Sequence, residues 1–194
     1  MNKTSYALGM SIAHNLMQSG VKDLEFNDFF EGLKATLTGE TPALSIEEAG
    51  NELEKFFREL EETLAAAAKA SGEEWLTKNG KKDGVTTLAS GLQYKVLTKG
   101  KGKKPGLADK VKCHYEGRFV DGQVFDSSYA RNEPAVFGVT QVIRGWTEAL
   151  PMMSEGSKWE LYIPYNLAYG EQGVQGSIPP YATLVFTVEL IEVL

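Results

Sequence analysis

The spacing of apolar residues along this chain changes near Gly84, and that change limits the folds available to it. Before Gly84 the apolar residues recur every three or four positions, which is the period of an amphipathic helix. After Gly84 they alternate with polar residues, which is typical of half-buried strands. Because a chain of 194 residues can form two small domains, we predict a helical segment at 1–84 and an α+β domain at 85–194.

Two short helices are predicted at the start of the chain. Apolar stripes at helical spacing cover 6–17 and 26–37, and Asn27 is a candidate N-cap for the second helix. Helices of this length are too short to be stable alone in water. They must therefore pack either on the second domain or on a second copy of the chain.

A third and much longer helix is predicted from Ile46 to about Asn79. Ser45 and Glu48 have the spacing of a capping box at its start, and no proline interrupts the span. At about 1.5 Å per residue this helix is roughly 50 Å long, which exceeds the width of a small domain. Its apolar stripe would otherwise reach into solvent, so we expect the helical segment to form a homodimer and the long helix to act as a linker. The stripe consists of Ile46, Ala49, Leu53, Phe56, Leu60, Leu64 and Ala67.

The second half of the chain is predicted to be an antiparallel sheet with one short helix. Alternating patterns predict strands at 92–96, 111–119, 158–163 and 184–191, and the Asp121-Gly122 pair is typical of a hairpin turn. Residues 141–150 are the one helix candidate in this half. These elements indicate an α+β fold in which the helix packs on one face of the sheet.

Charge and cysteine content narrow the possible partners and compartments. Residues 1–84 carry the whole net charge of −6, and residues 85–194 are neutral. This balance argues against nucleic acid or an anionic membrane as a partner. A single cysteine, Cys113, rules out an intrachain disulfide. We therefore expect a cytoplasmic protein, or a periplasmic one if a signal peptide has been removed.

Conventional catalytic groups are few in this sequence. The two histidines, His14 and His114, lie in different segments, and Cys113 lies in phase with the core-facing residues of its strand, as a buried thiol would. No cluster has the spacing of zinc ligands, and no glycine-rich stretch matches a phosphate loop. We therefore expect neither a metal nor another cofactor.

An apolar and aromatic set in the second half is the stronger candidate for a site. Such a set is usually plain core, but three details favour a pocket. Asp126 places a carboxylate beside an aromatic residue, Trp146 follows a glycine turn, and Tyr169 lies in a loop rich in glycine and proline, where sites are common. The set comprises Tyr115, Phe125, Phe137, Val142, Ile143, Trp146, Tyr169 and Phe186.

Four motifs in this half resemble the signature of FKBP-type peptidyl-prolyl cis-trans isomerases. They occur in the family order and are together highly specific, and the resemblance covers roughly residues 90–194. The helices and the start Tyr6-Ala7-Leu8-Gly9 also resemble the dimeric bacterial subgroup of macrophage infectivity potentiator-like isomerases. The four motifs are VFDSS at 124–128, VIRGW at 142–146, AYG at 168–170, and IPP followed by ATLVF at 178–186.

The resemblance implies an FKBP fold, in which an antiparallel half-barrel sheet wraps on a short helix with the site between them. It implies Trp146 as the pocket floor, the Ile143 N–H and the Tyr169 hydroxyl as donors to the substrate, and Asp126 near the twisting carbonyl. Arg131 is similar to the family arginine that pairs with that aspartate. The implied catalytic residues are Asp126, Ile143 and Tyr169, and the implied substrate-binding residues are Tyr115, Phe125, Arg131, Phe137, Val142, Trp146, Ala168, Ile178 and Phe186.

The implied function is isomerisation of Xaa-Pro bonds in unfolded or partly folded polypeptides, with chaperone-like binding of these clients by the dimer. Macrolide inhibitors of the FKBP class are further expected ligands. The alternative is a noncatalytic FKBP-fold module that binds or scaffolds other proteins. Loss of Tyr115, Asp126, Trp146 or Tyr169 would favour this alternative, and all four are present.

Overall fold

The computed structural model describes all 194 residues, which form two compact units, Met1–Leu64 and Ala65–Leu194. The sequence-based fold class, an α+β domain preceded by a helical segment, is confirmed. None of the helices combines the length and the apolarity that a membrane span requires. The elements in chain order are α1 Lys3–Gln18, α2 Phe26–Thr38, α3 Ile46–Asn79, β1 Val85–Thr87, β2 Gln93–Thr98, β3 Lys110–Phe119, β4 Val124–Ser127, β5 Ala135–Gly138, α4 Arg144–Ala149, β6 Lys158–Ile163 and β7 Leu184–Val193.

The starts of the helices follow local side-chain chemistry. The predicted capping box is confirmed: the Ser45 N–H donates to Glu48 Oε2 at 2.9 Å, and the Glu48 N–H donates to Ser45 Oγ at 3.1 Å. Asn27 as the N-cap of α2 is wrong, since the helix already begins at Phe26 and Glu25 occupies the cap without a side-chain hydrogen bond.

All neighbouring strands of the seven-stranded sheet are antiparallel. The strand order is β1-β2-β6-β7-β3-β4, and β5 also pairs with β3. Strand β3 thus pairs with β7 along one side. On its other side, the first part of β3 pairs with β5 and the later part pairs with β4. One face of the sheet packs on α4 and forms the main core, to which Leu161 and Ile163 of β6 and Leu184 of β7 contribute fully buried side chains.

The C-terminal part of α3 belongs to the second compact unit. Leu76 is buried against Tyr162 of β6 and Val185 of β7, and the Trp75 ring lies 5.8 Å from that of Tyr162. Strand side chains alternate between faces, so Tyr162 and Val185 lie on the opposite face of the sheet from the main core. The compact unit begins at Ala65, within α3, whereas we predict the domain boundary near Gly84.

We expect Leu76→Ala to lower the free energy of unfolding by about 2–3 kcal/mol, because it removes a buried leucine and leaves a cavity against the sheet. Urea unfolding followed by tryptophan fluorescence measures the loss. Thr77→Ala, at the exposed next position of α3, is the matched control and should change the value by less than about 0.5 kcal/mol. Equal unfolding midpoints for both variants would show that this contact does not stabilise the unit.

Candidate active site

A cavity of about 440 Å³ opens between α4, the sheet and the loop after β6. Its lining is mainly aromatic and aliphatic, with one carboxylate at the edge. Small-molecule and peptide sites often have this composition, with a few polar groups that fix orientation. The lining residues are Tyr115, Phe125, Asp126, Phe137, Gln141, Val142, Ile143, Trp146, Tyr169 and Phe186.

The indole of Trp146 is the most enclosed aromatic surface of the cavity, with only 3 % of the residue exposed. Three rings stand edge-on around it: Tyr115 at 5.5 Å, Phe137 at 5.7 Å and Phe186 at 5.5 Å between centroids, with interplanar angles of 83° to 87°. Edge-to-face packing of this kind is favourable because the positive ring edge meets the negative ring face. The three contacts therefore fix the orientation of the indole.

Phe125 and Phe186 form one wall of the cavity, and their ring centroids lie 5.6 Å apart with the rings nearly perpendicular. Gly117 of β3 lies behind both rings. A Cβ at Gly117 would lie 2.6 Å from Phe186 and 2.7 Å from Phe125, so any side chain there would displace the wall. No pattern of residue types indicates this role, because Gly117 simply occupies a core-facing position in an alternating strand.

Asp126, Arg131 and Tyr115 form a closed polar triangle at the cavity edge. The Tyr115 hydroxyl donates to Asp126 Oδ2 at 2.6 Å, Arg131 Nη1 donates to Asp126 Oδ1, and Arg131 Nη2 donates to the Tyr115 hydroxyl at 2.9 Å. Partial burial alone would raise the pKa of the Asp126 carboxyl, but the hydrogen bonds from Tyr115 and Arg131 outweigh it and hold that pKa below its ordinary value. The carboxylate is therefore ionised at neutral pH.

Tyr169 and Ile143, which both line the cavity, each carry a donor that has no partner in the chain. The Tyr169 hydroxyl makes no hydrogen bond within the chain, and the pKa of Tyr169 is raised by burial and by the nearby charge of Asp126. The phenol therefore keeps its proton at neutral pH and can donate it in a hydrogen bond. The N–H of Ile143, directly before α4, also makes no hydrogen bond within the chain. The cavity thus offers one hydroxyl donor and one backbone donor to a ligand.

The structure brings most of the expected site residues into this lining, with three exceptions. Arg131 lies behind Asp126 and acts on the cavity through it. Ile178 is buried in the main core and Ala168 packs against that core, and neither is among the residues that line the cavity. Conversely, Gln141 lines the cavity and was not expected, because its only signal in the sequence is that it precedes Val142.

Comparisons with known protein families cover both units. Residues 101–191 match the family described as FKBP-type peptidyl-prolyl cis-trans isomerase. Residues 1–96 match the family described as the domain amino terminal to FKBP-type peptidyl-prolyl isomerase. The two matches follow the same order along the chain as the helical segment and the sheet.

Individual relatives are similar over the whole length of the chain. The chain is 44% identical over 199 residues to the FKBP-type 22 kDa peptidyl-prolyl cis-trans isomerase of Escherichia coli, with 99% of this chain and 95% of that protein covered. It is 39% identical over 199 residues to the outer membrane protein MIP of Legionella longbeachae, with 99% and 85% covered. The crystal structure of FkpA from Escherichia coli superposes with a TM-score of 0.76 at 38% identity, with 98% of this chain and 95% of that chain covered.

We expect Arg131→Met to raise the pKa of Asp126, because the variant removes a cation and a charged hydrogen bond from the carboxylate. Titration of the carboxyl carbon by NMR measures the change. Arg144→Met, which removes an exposed arginine from the start of α4, is the control and should leave that pKa unaltered. An Asp126 pKa equal to that of the wild type would contradict the assigned ion pair.

The same pair predicts a pH dependence of stability. A carboxyl whose folded-state pKa is depressed stabilises the folded state above its unfolded pKa, and that contribution is lost as the pH falls through the folded value. The difference in unfolding midpoint between wild type and Arg131→Met should therefore shrink as the pH falls below about 3.9, the ordinary pKa of an aspartate.

Proposed function

Because this chain belongs to the FKBP-type peptidyl-prolyl cis-trans isomerases, we propose that the cavity floored by Trp146 is its catalytic site. The proposed substrate is an Xaa-Pro segment of an unfolded or partly folded polypeptide, with the proline ring seated on the indole. The observation that carries the proposal is the indole itself, a flat apolar surface fixed by three surrounding rings.

The chemistry requires no nucleophile or general base. Rotation about a peptide bond is opposed by about 18–20 kcal/mol because resonance is lost on twisting. The planar amide is the more polar form, so an apolar pocket disfavours it relative to the twisted transition state. Lowering the barrier by about 4–5 kcal/mol would accelerate isomerisation by a thousandfold or more.

Each polar group of the cavity has a proposed part in this rotation. The Ile143 N–H and the Tyr169 hydroxyl donate to substrate carbonyls and hold the backbone on either side of the turning bond. Asp126 lies near the twisting carbonyl, and its ionised state is maintained by Tyr115 and Arg131. Apolar residues bind the proline ring and its neighbours, and Ala168 and Ile178 act from behind by packing in the core.

We expect Phe125→Ala to lower kcat/KM about tenfold or more, because it removes an apolar wall that contributes to the preference for the twisted amide. A protease-coupled assay with a Leu-Pro tetrapeptide measures the loss. Val124→Ala, at the exposed preceding position of β4, is the matched control and should keep wild-type turnover. Undiminished turnover by a folded Phe125→Ala would rule out this cavity as the catalytic site.

We also propose that the helical segment associates with a second copy of the chain. Helices α1 and α2 bury no residue within the chain, and Phe26 and Leu37 of α2 are 78% and 77% exposed. Apolar side chains exposed at helical spacing indicate an interface. A homodimer would hold two catalytic sites near one polypeptide client and so raise the effective concentration of the enzyme at its proline bonds.

The FKBP-class macrolides are proposed ligands of the cavity floored by Trp146.

We expect Phe30→Asp to weaken self-association at least about tenfold, because it introduces a carboxylate into an apolar contact. Analytical ultracentrifugation measures the change. Asn27→Asp adds the same charge to a polar, exposed position of α2 and should leave association unaltered. A wild-type chain that is monomeric at micromolar concentration would disprove the dimer.

The same variant tests client binding by the dimer. Turnover of a tetrapeptide should be equal for wild type and Phe30→Asp, because each cavity is complete within one chain. Refolding of a protein limited by proline isomerisation should be accelerated less by Phe30→Asp than by wild type. Equal acceleration of refolding would argue against a role for the dimer in holding clients.

A further inference from the structure

The loop from Pro164 to Thr183, between β6 and β7, carries Tyr169. Two other tyrosines of this loop contact each other and connect its two ends. Tyr165 lies at its start and Tyr181 near its end, with their rings 5.0 Å apart. The Gly170 N–H donates to the Tyr165 carbonyl at 2.9 Å, and the Tyr181 N–H donates to the Gly170 carbonyl at 3.1 Å. The residue that follows Tyr169 is therefore held by hydrogen bonds to both tyrosines.

Tyr181 adopts a backbone conformation that residues with a side chain rarely take. Its φ is 56°, in the left-handed region. Such a residue keeps this conformation only where its surroundings hold it in place. Here the holding contacts are the Tyr165 ring and the Gly170 carbonyl, both within the loop.

Helix α3 contacts Tyr165, the first of the two tyrosines, from outside the loop. Lys69 Nζ lies 5.8 Å from the centroid of the Tyr165 ring, within the range of a cation–π contact. Interaction with the Tyr165 hydroxyl is the largest cause of the raised pKa of Lys69, and Tyr181 also contributes. The ammonium group is therefore charged at any physiological pH, and it lies over the Tyr165 ring.

One turn further along α3, Gly72 meets the other end of the loop. Gly72 is buried, and a Cβ at this position would lie 2.4 Å from Thr183 Oγ1 and 3.3 Å from Thr183 Cβ. Thr183 is itself buried and directly precedes Leu184, the fully buried first residue of β7. The helix backbone and the end of the loop are thus in direct contact, and no side chain fits between them without a shift.

We propose that Lys69 and Gly72 are positioning residues for catalysis, which hold the loop from Pro164 to Thr183 so that the Tyr169 hydroxyl faces the cavity. Neither residue touches the cavity, and each acts through the loop. This inference rests on the proposed role of Tyr169 as a donor to the substrate. It makes the linker helix, which lies far from Tyr169 in sequence, a part of the catalytic unit.

Gly72→Ala in the full chain tests the proposal. We expect kcat/KM to fall about three- to tenfold, because a small displacement of a donor weakens its hydrogen bond in the transition state. Gly50→Ala is the matched control: Gly50 also lies within α3, a Cβ there meets nothing within 4 Å, and turnover should be unaltered. Adding Thr183→Ala to Gly72→Ala removes the closest clash and should restore most of the activity. A folded Gly72→Ala with wild-type kcat/KM would overturn the proposal.

The Tyr169→Phe background separates positioning from a general loss of stability. If Gly72→Ala acts through the Tyr169 hydroxyl, it should lower kcat/KM little or not at all once that hydroxyl is absent. An equal loss in both backgrounds would overturn the proposal. Should Gly72→Ala fail to fold, the same comparison is made with Lys69→Met, which changes an exposed side chain. Lys69→Met should lower kcat/KM only where the Tyr169 hydroxyl is present, and Lys69→Arg should keep the activity.

The same cycle distinguishes this inference from the proposed role of Tyr169. A Tyr169→Phe variant with wild-type kcat/KM would disprove the role of the hydroxyl and with it the inference. If Tyr169→Phe lowers kcat/KM while Gly72→Ala and Lys69→Met do not, the hydroxyl keeps its role and only the positioning by α3 is disproved.

Discussion

The packing of three aromatic rings edge-on around Trp146 is the interaction on which the rest of the site depends. The rings come from β3, β5 and β7, and the indole comes from α4, so a single cluster joins the helix to three strands. Because each ring is both a core residue and a wall of the cavity, the site is as rigid as the core itself. The proposed catalysis by an apolar, shaped cavity requires such rigidity.

The polar edge of the cavity depends on the same frame. Tyr115 packs against the indole with its ring and donates to Asp126 with its hydroxyl, so the aromatic cluster also positions the carboxylate. Arg131 completes the triangle, and without it Asp126 would be a partly buried charge with one hydrogen bond fewer. The low pKa of Asp126 is therefore a consequence of how the core packs, as well as of the ion pair.

Much of the fold and most of the cavity lining could be predicted from sequence because their signals are local or periodic. The capping box at Ser45 and the alternation in β3 and β7 are of this kind, whereas β1 and β5 have too few residues for a period to be visible. Ala168 and Ile178 lie in matching motifs, but whether a side chain reaches a cavity depends on the path of the loop. The role of Gln141 depends in the same way on tertiary structure, which no pattern of residue types records.

The attachment of α3 to the second unit was beyond prediction for a related reason. A helix of this length has an apolar stripe, but the stripe does not show where one partner ends and the next begins. In the structure Leu76 covers the outer face of β6 and β7 at Tyr162 and Val185, while Leu161 and Phe186 of the same strands face the cavity side. Two strands are thus packed from both faces, and Gly72 places the helix against the loop between them. A displacement of α3 therefore affects strand β7, which carries Phe186, as well as the loop that carries Tyr169.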